Sequence, residues 1–297
     1  MNDLVEKDPL TAEPQPVAEE DERPTFLVIA QFFIIPLVVI LVCVGLFYMF
    51  GLMTEESRDA TSYLSEIRQG TKTRRFQAAY ELSRMLAQDK EIAREPGFVA
   101  ELSRVFVESQ DEDPGIRRYL ALALGQVADP RGVSALLTGL DDSDAETRIY
   151  VIWALGAVGD PRAVPPIVER LSDPDAGVRK MAVHTLGMLG DSSAVPDLKL
   201  ALEDPVADVQ WNAALSLGRM GDPAALPVLR RMLDREYLDR VDGITPEQKA
   251  AAMVNAIRAL VLLEDRGVVD LLTRIGDADP DLEVRSAALE ALTALGG

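Results

Sequence analysis

The most regularly spaced chemical groups in this sequence are aspartates and arginines. Arg117, Arg148 and Arg179 follow one another at intervals of 31 residues, and Gln210 takes the fourth place. An aspartate stands six residues before each of these positions. Carboxylates can act as acids or bases, but ion pairs that recur along an array more often have a structural role. We therefore expect the arginines to bind turn carboxylates and carbonyls in a ladder that contains Asp111, Arg117, Asp142, Arg148, Asp173, Arg179, Asp204, Asp279 and Arg285.

Other groups that could carry catalysis or bind a ligand are scarce. The chain has one Cys and one His, which excludes an intramolecular disulfide and argues against a zinc site. That histidine, His184, has no nucleophile or second ligand within its repeat. The segment 239–243 resembles the start of a calcium loop but lacks the third acid and the terminal Glu. We predict no catalytic, cofactor-binding or metal-binding residues, and no enzymatic activity.

The charge of the chain excludes one class of partner. Its 297 residues include 49 acids and 30 bases, which gives a net charge of -19. Affinity for nucleic acid comes mainly from clustered Lys and Arg, so we expect no nucleic-acid partner. The chain is 48% hydrophobic but only 5% aromatic, a composition that favours helices packed through small residues.

An uncharged stretch lies between Arg23 and Glu55. Residues 25–53 are apolar apart from Gln31 and a few small or proline residues, and they exceed the roughly 20 residues that cross a bilayer. A cleaved signal peptide would have a basic leader and a shorter apolar core, whereas the residues before this stretch are mostly acidic. We predict one transmembrane helix over 25–53, preceded by a disordered acidic tail over 1–24.

The basic residues that flank the predicted helix indicate its orientation. Only Lys7 and Arg23 precede it, whereas the bases that follow it are Arg58, Arg68, Lys72, Arg74 and Arg75. An excess of Lys and Arg marks the cytoplasmic side. We therefore expect a single-pass protein of the cell (inner) membrane whose large domain lies in the cytoplasm.

The remainder of the chain repeats with a period of 31 residues. The positions that mark this period are Gly125, Gly156, Gly187 and Gly218, followed by Asp129, Asp160, Asp191 and Asp222. Apolar spacing predicts two helices per unit, over 131–140 and 145–158 in one of them. Such a pair cannot bury its apolar face alone, so stacked units form a solenoid. We place a linker and a degenerate first repeat at 54–96, and the solenoid at 97–297 with an insertion at about 234–249.

The repeated segments resemble a known family. Residues 173–179 read Asp-Pro-Asp-Ala-Gly-Val-Arg and residues 186–191 read Leu-Gly-Met-Leu-Gly-Asp, and both resemble HEAT repeats of the short bacterial, phycobilisome-lyase-like kind. The resemblance covers about residues 97–295. It implies an all-α fold, namely a right-handed, armadillo-like α-solenoid of about six to seven helical hairpins. In this chain the predicted transmembrane helix precedes the solenoid. It implies no particular activity, because many unrelated proteins use this repeat.

The side of the second helices opposite the core holds unexpected apolar residues. When each second helix is counted from its Arg (or Gln210) as position zero, position +5 faces away from the buried side, and positions +1 and +9 flank it. Apolar or aromatic residues in register on neighbouring units would form one patch, and such patches usually mark partner surfaces. The predicted partner-binding residues are Leu122, Ile149, Trp153, His184, Met188, Trp211 and Leu215.

These observations favour one function and leave an alternative open. The favoured function is a membrane-anchored scaffold or adaptor that binds a membrane-associated protein partner on the concave face of the solenoid. The alternative, which follows from the family resemblance, is a chromophore-handling protein similar to the bilin lyases. A DNA-binding role like that of HEAT-like glycosylases is disfavoured by the negative charge.

Overall fold

The computed structural model describes residues 34–54, 59–89, 91 and 95–296, and the chain divides into two compact units, 1–58 and 59–297. The predicted tail over 1–24 and the beginning of the predicted transmembrane segment lie outside the described residues. In the first unit, helix α1 is Ile35–Thr54. Across the part of the chain that the structure describes, no helix combines the length and the apolar character that crossing a membrane requires.

The second unit consists of seven pairs of helices within residues 60–295, and its described residues contain no strand. The first helices of the pairs are α2 Ala60–Gln69, α4 Phe98–Glu108, α6 Val133–Thr138, α8 Val164–Glu169, α10 Val195–Leu200, α12 Leu226–Arg231 and α15 Val269–Ala278. The second helices are α3 Lys72–Gln88, α5 Pro114–Val127, α7 Ala145–Val158, α9 Ala176–Leu189, α11 Ala207–Arg219, α14 Pro246–Leu262 and α16 Leu282–Leu295. The predicted all-α repeat fold is confirmed.

Aspartates and glycines set the ends of the helices. Asp144 accepts a hydrogen bond from the backbone N–H of Thr147 at 2.8 Å and so caps α7, because the first N–H groups of a helix have no partner within it. Asp160 does the same for the 3₁₀ turn Pro161–Ala163 that leads into α8. Gly159 ends α7 with a φ of +73°, a conformation that residues with a Cβ rarely adopt.

Glycines also bring the second helices close together. The second helices contact one another in chain order from α3 to α16. A Cβ added to Gly125 would lie 2.8 Å from the Cα of Ala154 on the next second helix, which is too close for a larger residue. Ile152 and Leu155, the inward residues of α7, are fully buried. The core of the unit therefore lies between the two layers of helices, and one side of every second helix stays outside it.

The insertion predicted at about 234–249 has its own structure. It contains a short helix, α13, over Arg235–Asp239, followed by a turn with Gly243 at a φ of +80°. Thr245 then begins α14 with the predicted capping box, in which Thr245 and Gln248 each bond the backbone N–H of the other. The insertion thus lengthens the connection between the two helices of one unit and leaves the stacking of second helices uninterrupted.

Candidate functional site on the second helices

The exposed side of the second helices, called here the second-helix face, is where the sequence predicted a docking surface. The seven predicted residues differ in exposure. Trp153 and Met188 are exposed, Leu122, Ile149, His184 and Leu215 are half-buried, and Trp211 is buried.

Trp153 lies on this face as predicted. Its side chain is 37% exposed, and one edge of its indole rests on α5, where a Cβ added to Gly125 would lie 2.6 Å from Cζ3 of the ring. Gly125 therefore makes room for the indole as well as for the helix that carries it. The ring is held against the preceding repeat while its other surface remains in solvent.

Four more aromatic side chains extend this exposed surface over three neighbouring second helices. The rings of Phe76 and Tyr80, both on α3, each make an edge-to-face contact with Tyr119 of α5, at centroid distances of 5.5 and 5.4 Å. Tyr150 of α7 is the equivalent of Tyr119 in the next repeat, 31 residues further along the chain. We call this set the aromatic strip: Phe76, Tyr80, Tyr119, Tyr150 and Trp153.

The expectation that Trp211 is exposed was wrong. Its side chain is only 5% exposed, and its indole Nε1–H donates to the hydroxyl of Tyr237 at 3.1 Å. The two rings meet edge to face with centroids 6.3 Å apart, and the Arg231 guanidinium lies 5.0 Å from the centroid of the tyrosine ring. The physical reason is the insertion, because α13 brings Tyr237 over a position that would be in solvent in a regular repeat.

His184 lines a cleft of about 380 Å³ between α9, α11 and α14. Burial lowers the pKa of His184, and the positive charge of Arg219 lowers it further. The imidazole is therefore neutral at neutral pH, and each of its nitrogens can either donate or accept. The other residues around the cleft are Asn212, Leu215, Arg219, Asn255, Arg258, Ala259 and Leu262.

The arginine series lies away from this face and joins consecutive repeats. Arg148 donates from Nε and Nη2 to both carboxylate oxygens of Asp173, each at 2.8 Å. It also donates from Nη1 to the backbone carbonyl of Asp142 at 2.7 Å. Arg179 repeats both sets of contacts, with Asp204 and with the carbonyl of Asp173. Each arginine thus binds the turn of its own unit and the aspartate of the next one.

The aspartates of these pairs are stabilised as carboxylates. Burial acts to raise the pKa of Asp173, but hydrogen bonds from the Arg148 guanidinium and from the N–H of Asp175 outweigh it and hold that pKa below its ordinary value. The same balance lowers the pKa of Asp204, with Arg179 and the N–H of Val206 as donors. A parallel pair links Arg118 to Asp144, and the Arg118 hydrogen bond is the main cause that lowers the pKa of Asp144 to about 2.

Two members of the predicted ladder do not join it. Within the described residues no ion pair involves Asp111 or Arg285. The contacts run in one direction, because each arginine reaches forward to the aspartate of the next unit, and α16, which carries Arg285, is the last helix that the structure describes. In the first unit, Arg75 pairs with Glu112 at 2.8 Å and donates to the carbonyl of Ile67, so Glu112 takes the place expected for Asp111.

The ladder changes next to the insertion. Gln210 replaces the arginine and donates only to the carbonyl of Asp204, at 2.6 Å. Asp279, the turn aspartate of the last unit, lies two units beyond Gln210 and is bound by Arg235 of α13, with both carboxylate oxygens engaged at 2.6 and 2.7 Å. The short helix of the insertion therefore supplies the arginine that binds the turn of the last unit.

Sequence reasoning missed four of the five residues in the aromatic strip. It began the register at Arg117, although Arg75 makes equivalent contacts on α3. Counting five residues from Arg75 reaches Tyr80, which precedes Leu122 and Trp153 in the same position. The signal was hidden because the step from Arg75 to Arg117 is 42 residues instead of 31.

A family model described as HEAT repeats matches residues 104–179 and 164–245. Together the two matches span residues 104–245, and this part of the chain is similar to HEAT repeats. No curated protein matches the sequence. Among solved structures, the fold is similar to the complex of CpcE and CpcF of phycocyanin lyase from Nostoc sp. PCC7120, with 17% identity, a TM-score of 0.50, and 78% of this chain and 86% of that chain covered.

A designed armadillo repeat protein in complex with the peptide (KR)4 is also similar, with 16% identity and a TM-score of 0.45 over 80% of this chain and all of that one. At these identities the likeness concerns the fold alone. The likeness therefore describes the repeat architecture, and the chemistry of the second-helix face has to be read from its own residues.

Proposed function

We propose that the protein is a membrane-anchored adaptor that binds a protein partner through the aromatic strip, and that its role is binding and not catalysis. The observation that carries this proposal is the row of rings on three successive second helices, of which Phe76, Tyr80, Tyr150 and Trp153 are each at least 36% exposed. Only 5% of the residues are aromatic, so this concentration on one face is a marked local enrichment.

The arrangement of the strip suits a partner better than it suits solvent. Large exposed apolar surfaces rimmed by polar residues usually mark interaction sites. Tyr and Trp are enriched among the residues that dominate binding energy, because they bury a large area and lose few rotamers. The strip is also rigid, since Tyr119 is held between Phe76 and Tyr80 and Trp153 rests on Gly125.

The binding proposal is tested by capture from detergent-solubilised membranes with tagged full-length protein. We expect Tyr80→Ala and Trp153→Ala to lose the proteins that the native chain captures reproducibly. Leu200→Ala is the matched control, because Leu200 is 74% exposed but lies on a first helix. Unchanged capture by both aromatic variants would overturn the assignment of the strip as the docking surface.

The membrane anchor is a separate part of the proposal. It is supported by the sequence, in which no charged residue occurs between Arg23 and Glu55, and by the excess of bases after this stretch, which favours a cytoplasmic location for the repeats. We expect the full chain to stay with membranes during alkaline extraction and a variant without residues 1–53 to be released. A reporter fused after Gly297 that is active only outside the cytoplasm would contradict the orientation.

The alternative function, handling of a bilin chromophore, is motivated by the likeness in fold to the phycocyanin lyase complex. That likeness identifies no chromophore-binding residue in this chain. The two functions are distinguished by mixing the purified protein with a bilin and recording its absorbance. A new red-shifted band that persists through gel filtration, together with no reproducible protein partner, would favour the alternative.

A further inference from the structure

The cleft that contains His184 is cationic, in contrast to the chain as a whole. Arg219 and Arg258 both line it, and none of its eight lining residues is acidic. Within the described part of the chain, neither arginine forms an ion pair, and Arg219 donates from Nη2 to the Ser216 hydroxyl at 3.3 Å. In a protein with a net charge of -19, two guanidinium groups thus face one cleft without a carboxylate between them.

The state of Arg219 differs from that of the ladder arginines. Burial lowers the pKa of Arg219, whereas the hydrogen bond from Arg148 to Asp173 raises the pKa of Arg148. Arg219 and Arg258 are both exposed in the cleft. The partial loss of hydration of Arg219 is not offset by a carboxylate within the described residues, and a bound anion would supply that partner.

We propose that this cleft binds a carboxylate from an acidic segment of the protein partner, an inference that rests on the adaptor function proposed above. A guanidinium presents its donors in a planar fork that matches a carboxylate. Two such forks, with the side-chain amide of Asn255 and the imidazole of His184 beside them, can satisfy both oxygens of one carboxylate. Asn212 contributes less, because its amide already donates to the carbonyl of Asp208 at 2.7 Å.

The surroundings of the cleft restrict the ligand to a short acidic segment. Acidic side chains border the clefts on both sides of this one. Asp208 and Asp242 lie on one side, where Asp208 pairs with Lys180 at 2.7 Å, and Glu290 lies on the other. They would repel a long polyanion such as nucleic acid, but they leave room for a single carboxylate between them. Leu262, 64% exposed, and Leu215 provide an apolar wall. A glutamate or aspartate flanked by apolar residues matches this combination.

His184 gives a direct test, because it is the only histidine in the chain and it lies in the cleft. The full-length protein, labelled with ¹³C at histidine Cε1 and held in micelles of a zwitterionic detergent, is titrated with a capped peptide that contains two glutamates flanked by leucines. We expect a saturable shift of the His184 resonance in the millimolar range. The matching glutamine peptide and inorganic phosphate at equal ionic strength should produce at most a small, non-saturating shift.

Paired variants decide whether the arginines are responsible. Arg219→Gln combined with Arg258→Gln should weaken binding of the glutamate peptide at least about tenfold. Arg266→Gln combined with Arg274→Gln removes the same charge outside the cleft and should bind as the native chain does. The inference is overturned if the glutamate peptide causes no saturable shift, or if the glutamine peptide or phosphate causes a shift of the same size. It is also overturned if the double variant of Arg219 and Arg258 binds the glutamate peptide as tightly as the native chain does.

The two proposals fail in different ways. If the strip is not the docking surface, partner capture will not respond to Trp153→Ala, but the His184 titration will be unaffected. If the cleft does not bind a carboxylate, the titration will fail while capture still depends on Trp153.

Discussion

Two second-helix tryptophans, Trp153 within the regular repeats and Trp211 in the repeat that precedes the insertion, differ sharply in burial. In the regular part, Trp153 lies on the surface with its ring supported by a glycine. Next to the insertion, α13 of the following unit places Tyr237 over Trp211 of α11 and closes its indole off from solvent. The difference shows that a residue's position in the repeat determines which face of its helix carries the side chain. Whether another segment covers that side chain is not determined by the repeat position.

The largest effect should separate the two tryptophans. Trp211→Ala removes a buried ring and should lower the free energy of unfolding by about 3–5 kcal/mol. Trp153→Ala removes a partly exposed one and should cost roughly 1–2 kcal/mol. Denaturant unfolding of the full chain in detergent micelles, followed by circular dichroism, measures both. Equal losses would contradict the different burial of the two rings. Acrylamide quenching gives a second measurement, because Trp211→Phe leaves only Trp153 and Trp153→Phe leaves only Trp211, and equal quenching of the two proteins would contradict it as well.

The ladder should show a similar division. Arg148→Ala leaves the buried Asp173 carboxylate without its partner and should cost roughly 3 kcal/mol of unfolding free energy. Gln210→Ala, at the altered step next to the insertion, loses neutral hydrogen bonds and should cost about 1 kcal/mol. Arg162→Ala is the control, because Arg162 pairs with Asp160 at the surface, and no measurable change is expected. A loss at Gln210 as large as that at Arg148 would show that the ladder does not weaken there.

Acid should weaken the regular repeats through Asp144. Its pKa is lowered to about 2 in the folded protein, from an ordinary value of 3.8, so the folded state binds this proton less readily than the unfolded state. The stabilisation it contributes is therefore complete above about pH 4 and is lost as the pH falls towards 2. Asp144→Asn keeps a helix-capping side chain but should flatten this part of the curve of unfolding free energy against pH.

Asp277→Asn is the control for this measurement, because Asp277 is exposed and forms no ion pair within the described residues. An unchanged acid dependence in the Asp144→Asn protein would mean that the pair with Arg118 contributes no net stability.

The smallest effect concerns the contact that covers Trp211. Tyr237→Phe keeps the ring and removes only the hydroxyl that accepts the indole N–H, so it should lower the unfolding free energy by about 1 kcal/mol. Tyr63→Phe is a control, since Tyr63 is a half-buried tyrosine of the first repeat. A loss near that of Trp211→Ala would indicate that the hydroxyl, and not the burial of the rings, holds the insertion in place.

Much of the architecture could be predicted from the sequence because it depends on local patterns. Apolar spacing located the helices of a regular unit, and the Thr245 capping box was recognised from residue types alone. The pairing of the arginines was harder. Six residues separate Asp142 from Arg148 in the sequence, but the carboxylate that Arg148 binds is that of Asp173, 25 residues further along. Periodicity by itself does not distinguish a contact within one unit from a contact to the next.

The sequence by itself determined the all-helical repeat, its turns and the composition of its outward positions, because these follow from spacing, capping and side-chain volume along a few turns of chain. Only the tertiary structure decided that Tyr237 covers Trp211, that Arg75 begins the ladder and that Arg219 and Arg258 share a cleft with His184. Each of these contacts joins residues between 26 and 74 positions apart, and its existence depends on how the helices pack.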